Sequence, residues 1–133
     1  MVRERLLAAL ALTIGLASQA DAKTRADCER EYTPQRAQEG KDVIWAPTED
    51  SMVGRMLEMA KVTAADKVYD LGSGDGKIPI AARKLFGATA VGIEYDAALV
   101  QHSRCLGGAE GVGQGGTFIE GDIFETDFRA ATG

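Results

Sequence analysis

A chain of 133 residues, 45% hydrophobic and 26% charged, has the balance of one globular domain of modest size. Its net charge of -5 leaves no basic stripe for a phosphate backbone, so no nucleic-acid partner is expected. No stretch approaches the roughly 20 apolar residues of a membrane span. One histidine and no CxxC leave no readable metal site.

Arg3 and Arg5 precede an apolar run from Leu6 to Ala17, and Ala20-Asp21-Ala22 has the small-x-small pattern of a cleavage site. A helix over that run would reach about 18 Å, short of a ~30 Å hydrocarbon core. Residues 1–22 therefore read as an export signal, placing the chain in the periplasm or beyond. Left uncleaved, the same residues would associate with a membrane and hold the chain at the cytoplasmic face of the inner membrane. Lys23 to Asp42 alternates acidic and basic side chains, can bury little, and reads as a mobile polar arm. Cys28 falls in this arm and Cys105 in a predicted helix. Nothing in their spacing pairs them, and they read as two unlinked thiols.

Residues 43–133 form the expected folded part. Order begins at Val43-Ile44-Trp45-Ala46-Pro47. Thr48 can cap a helix starting at Glu49, whose Met52, Val53, Met56, Leu57 and Ala60 recur at helical spacing. Lys67 to Leu71 is the first strand, followed by the loop Asp70-Leu71-Gly72-Ser73-Gly74-Asp75-Gly76. Lys77 to Phe86 is a helix patterned by Ile78, Ile80, Ala81, Lys84 and Leu85. Pro79 sits in its first turn, Gly87 ends it, and Lys77 reads as a solvated starting residue. Ala88 to Ile93 is an unbroken apolar or small run, as in a strand buried on both faces, and ends at Glu94. Asp96 caps a helix to Leu106 with Leu99, Val100 and Ser103 inward, while His102 reads as surface or packing. Six glycines between Gly107 and Gly116 predict an early helix end and a mobile connection, at about 1 kcal/mol each relative to alanine. Thr117 to Glu120 is a third strand, and Phe124 and Phe128 begin a short amphipathic segment. Crossovers of this length imply parallel strands with right-handed connections.

The glycine loop carries the chemistry. Its third glycine comes one residue too early for the dinucleotide fingerprint. Asp70 and Asp75 flank it, which repels a pyrophosphate and suits a ligand bearing positive charge. Glu94 stands 22 residues beyond Gly72, at a strand end, where an acid accepts from ribose hydroxyls. NAD enzymes share that acid, so an NAD-dependent oxidoreductase half stays open as the alternative.

Asp70-x-Gly72-x-Gly74-x-Gly76 resembles the first motif of class I S-adenosylmethionine-dependent methyltransferases. The fuller string Asp-Leu-Gly-Ser-Gly-Asp-Gly resembles the protein-lysine branch, which includes the Dot1-like enzymes, the lysine methyltransferases of the ATP synthase c-ring protein, and bacterial relatives. Glu94-x-Asp96-x-x-Leu99-Val100-x-x-Ser103-Arg104 resembles the second motif region. Trp45-Ala46-Pro47-Thr48 is similar to a lead-in segment of those enzymes that approaches the methionine end of the cofactor, although a plain turn and helix cap explains it as well. The resemblance implies an incomplete Rossmann-like α/β sheet in the order three-two-one with flanking helices, S-adenosyl-L-methionine as cofactor, and a protein lysine as substrate. It puts Asp70 on the ammonium side, with Gly72, Ser73, Gly74 and Gly76 as close backbone and Tyr95 over the ribose. It puts Asp122 at the adenine amino group and Ile123 on the ring. The family has seven strands, and the fourth would lie beyond Gly133. The chain thus reads as a fragment without a nameable catalytic residue, its first strand exposing an edge for self-association. A non-catalytic exported fragment with a vestigial nucleoside pocket is the third reading.

Overall fold

The computed structural model describes residues 22–36, 44–113 and 115–132. The export signal, all but Ala22, and the later part of the polar arm lie outside the described residues. In chain order the elements are α1 (Arg25–Glu31), α2 (Asp50–Met59), β1 (Lys67–Leu71), α3 (Lys77–Phe86), β2 (Thr89–Glu94), α4 (Ala97–Ala109) and β3 (Gly116–Glu120). The three strands form one parallel sheet with β2 in the middle, the expected order. Asp70 pairs with Gly92 across β1 and β2, and Glu94 with Glu120 across β2 and β3. This register brings the carboxyl ends of all three strands to one rim.

Each element has a local cause. β2 is buried along Ala90, Val91, Gly92 and Ile93, as a central parallel strand requires. Pro79 occupies the third position of α3, where its missing N–H costs little, and Gly87 ends that helix. Asp96 caps α4 by accepting from the N–H groups of Ala98 and Leu99. One cluster of buried side chains joins α2 to the sheet through Val53, Leu57, Val68 and Ala90. A second, with Ile80, Val100, Leu106 and Phe118, lies beside it on the same face, since Phe118 pairs with Gly92, two residues along β2 from Ala90.

Several expectations are corrected. The polar arm carries an ordered helix, α1, with a reciprocal capping box between Thr24 and Asp27. Seven residues cannot hold a helix alone in water. What holds α1 is a disulfide between Cys28 and Cys105, both of which read as free thiols in the sequence. Glu110 adds ion pairs to Arg25 of α1 and Lys84 of α3. His102 of α4, read as surface or packing, takes the packing role: it is buried against the Tyr32 ring, centroids 5.4 Å apart. In α2, Val53 and Leu57 alone of the predicted stripe reach the core; Met52 and Met56 are exposed. Leu85 of α3 is also exposed, and Ala82 takes the central core position instead.

Helix α4 runs past Leu106 through Gly107 and Gly108 to Ala109. Tertiary packing overrides propensity there: a Cβ on Gly107 would stand 2.8 Å from the Phe118 ring. The glycine-rich connection is compact, because Val112 is buried and its N–H donates to the Gly107 carbonyl. At the outer edge of β1 the chain returns to the sheet. Thr132 N donates to Lys67 O at 3.0 Å, and Lys67 N donates to Thr132 Oγ1 at 2.7 Å. The first residue of the edge expected to be bare is therefore occupied.

Candidate functional site

The carboxyl ends of the strands open on a cleft of about 490 Å³, within the usual range for a small-molecule site. Asp70 of β1, Glu94 of β2 and Asp122 after β3 all line it. So do Thr48, Gly72, Ser73, Gly74, Tyr95 and Ile123. Gly76 is the exception. Its φ is +81° and a Cβ would come 2.5 Å from Phe118 Cε1, so it serves to seat α3 against β3.

The glycine loop is stitched to the end of β2. Gly72 N and Ser73 N both donate to the Ile93 carbonyl, at 2.8 and 2.9 Å. Gly74 N donates to Glu94 Oε2 at 2.9 Å, and Asp96 N donates to Glu94 Oε1 at the same distance. At the head of α3, Lys77 N donates to Asp75 Oδ1 at 3.2 Å. A phosphate-binding loop leaves such N–H groups free to grip an anion. Here they are committed within the protein, and carboxylates crowd the same place. The cleft is built for a cation or a neutral hydrogen-bond donor.

Its electrostatics say the same. Burial, reinforced by the charges of Asp75 and Glu94, raises the Asp70 carboxyl from 3.8 to about 6. A positive group nearby would relieve that repulsion. Ser73 Oγ is buried without a hydrogen-bond partner and lies over Gly92, where a Cβ would stand 2.6 Å from it. Asp122 Oδ1 accepts from Phe124 N at 2.8 Å, so this side chain also shapes the turn that carries Ile123. Tyr95 and Phe124 are exposed at the mouth.

Sequence reasoning placed two residues differently. Thr48 does not cap α2; Glu49 is the N-cap residue, with no side-chain cap bond. The Thr48 carbonyl instead accepts from Lys77 Nζ at 2.9 Å. Lys77 is thus a cleft-lining residue bonded to the opposite wall, not a solvated helix start. Gln35 and Arg36, from the supposed arm, line the cleft as well. No local pattern could have revealed them, since their position follows from the docking of α1.

A parallel sheet with a glycine loop after its first strand, and acids at three adjacent strand ends, is the architecture of class I S-adenosylmethionine-dependent methyltransferases. The chain resembles that class, and within it the protein-lysine branch. A protein-lysine N-methyltransferase of Saccharolobus islandicus is 41% identical over 91 residues, covering 68% of this chain and 56% of that protein. A human lysine N-methyltransferase named for the c-ring protein of ATP synthase is 36% identical over 84 residues, covering 63% of this chain and 35% of its own length. Among solved structures, an RNA methyltransferase of Salinibacter ruber in complex with S-adenosyl-L-homocysteine superposes with a TM-score of 0.65 at 47% identity. That match covers 65% of this chain and 57% of the other. The chain spans about half the length of the archaeal relative and less of the animal ones. No family model matches it.

Proposed function

We propose that this chain is the cofactor-binding part of an S-adenosylmethionine-dependent methyltransferase whose acceptor is a protein lysine amine. The observation that carries the reading is the convergence of Asp70, Glu94 and Asp122 on one cleft whose loop has the N–H groups of Gly72, Ser73, Gly74 and Gly76 already bonded within the protein. That combination fits a nucleoside bearing an ammonium and a sulfonium, and opposes a dinucleotide pyrophosphate. Asp70 faces the ammonium. Glu94 uses one lone pair per oxygen on the loop and keeps others for ribose hydroxyls. Asp122 accepts from the adenine amino group, with Ile123 and Tyr95 as apolar walls. The bound cofactor supplies an electrophilic methyl group; the residues of this chain bind and orient it, which is where most of the rate comes from in such a transfer. The lysine acceptor rests on the likeness to the archaeal relative, named as a protein-lysine enzyme.

Calorimetry with S-adenosylhomocysteine tests the cofactor. Heat is expected from the wild type, with affinity lowered about tenfold in Asp70→Asn. Glu94→Ala is a poorer test, because Glu94 also braces Gly74 and Asp96. No heat from folded protein, or tighter binding of NADH, overturns the reading. Labelled cofactor offered with lysine-containing proteins and with RNA tests the acceptor. Label in RNA alone overturns the lysine assignment and leaves the cofactor assignment standing.

The Cys28–Cys105 bridge supports an oxidising compartment, in keeping with an export signal. The mature chain is expected to begin at Lys23 with both thiols resistant to alkylation. Retention of Met1 with two alkylated cysteines overturns this placement.

A further inference from the structure

Trp45 is the chain's one tryptophan, and it lies in the wall that faces the glycine loop. Its indole edge is so close to Gly74 that a Cβ there would stand 2.7 Å from Nε1. Three residues on, the Thr48 carbonyl accepts from Lys77 Nζ at 2.9 Å, and the same ammonium pairs with Asp50 Oδ1 at 2.6 Å. Lys77 is the first residue of α3, so its position follows that of the loop directly before it. Asp50 is largely exposed, but Lys77 is three-quarters covered, its side chain lying between the loop and the start of α2. The segment 44–49 lies outside every helix and strand. Contacts at its two ends therefore decide where it stands.

We propose that Lys77 is a positioning residue that pins the Trp45–Thr48 wall against the glycine loop and so sets the width of the cofactor cleft. Its effect on the cofactor rests on the function proposed above; its effect on Trp45 does not. The ammonium neutralises Asp50 at the head of α2 and hands a charge-assisted bond to a carbonyl that helix geometry leaves unused. With the pin in place, the indole covers Gly74 and the wall is preformed, so a ligand meets it without first having to order it.

The experiment compares wild type, Lys77→Met, Lys77→Arg and Asp50→Asn, each checked for folding by circular dichroism. The readouts are Trp45 emission, acrylamide quenching and S-adenosylhomocysteine affinity. Lys77→Met is expected to shift Trp45 emission to the red, raise quenching about twofold and weaken affinity about tenfold. Lys77→Arg, which keeps a donor and a charge, should restore most of both. Asp50→Asn, which leaves the Thr48 bond intact and α3 untouched, should move the quenching in the same direction by less. Unchanged Trp45 quenching in both folded Lys77→Met and Asp50→Asn overturns the pin. Raised quenching with unchanged affinity overturns its role in setting the cleft. Raised quenching in a protein whose wild type binds no S-adenosylhomocysteine supports the pin and overturns the cofactor reading instead.

Discussion

Replacing Asp70 by asparagine should make the protein more stable and a worse binder. Asp70 sits near the end of β1, where burial and the charges of Asp75 and Glu94 raise its carboxyl from 3.8 to about 6. A shift of that size corresponds to about 3 kcal/mol at pH values above both figures. The folded state holds this proton more tightly than the unfolded state. Stability therefore falls as pH climbs from about 4 to about 6, and the whole penalty is present at neutral pH. Asparagine is neutral throughout and nearly isosteric. Asp70→Asn should gain about 1–3 kcal/mol at pH 7.5, since a buried amide has some cost of its own, and the gain should vanish near pH 4. In thermal unfolding this is a rise of about 5–15 °C at pH 7.5. A variant no more stable than wild type at pH 7.5, or one whose gain persists at pH 4, would refute the account of a crowded carboxylate kept for a ligand.

The same group couples ligand binding to protons. S-adenosylhomocysteine affinity should fall as pH drops below about 6, and binding at pH 6 should release protons, seen as a buffer-dependent calorimetric heat; no buffer dependence would place the ammonium elsewhere. Cys28→Ser should lower stability by about 2–4 kcal/mol, because the bridge closes a loop between residues 77 apart, and should expose His102 to solvent exchange; an unchanged melting temperature would mean α1 docks without its tether. Gly76→Ala should unfold the domain or cost more than about 2 kcal/mol in urea titration, since the added methyl meets Phe118 and Ser103 from a left-handed backbone. Gly72→Ala meets no neighbour within 4 Å, though its φ of +85° is still strained, so it should cost clearly less than Gly76→Ala.

Local physics was readable along the chain. The alternation of apolar runs with helical patterns placed β1 and α3 to the residue, and right-handed crossovers left one parallel arrangement. Acids at the ends of three successive strands had to share a rim, because parallel register puts all three ends on the same side. Packing across the sheet was not readable. That Gly107 continues a helix, and that Gly76 serves a core contact and not the cleft, depends on where the Phe118 ring falls. The capping box Thr24-x-x-Asp27 was a signal that a charged arm could start a helix. Whether so short a helix persists was decided by Cys105, Glu110 and His102, all far along the chain from it. The sequence determined the strands, their order and the acids at their tips, since those follow from hydrogen bonding and side-chain period along the backbone. Tertiary structure alone decided the wall opposite them, the Lys77 bond that spans the gap and the bridge that holds α1, because a contact between distant segments is written in no local pattern.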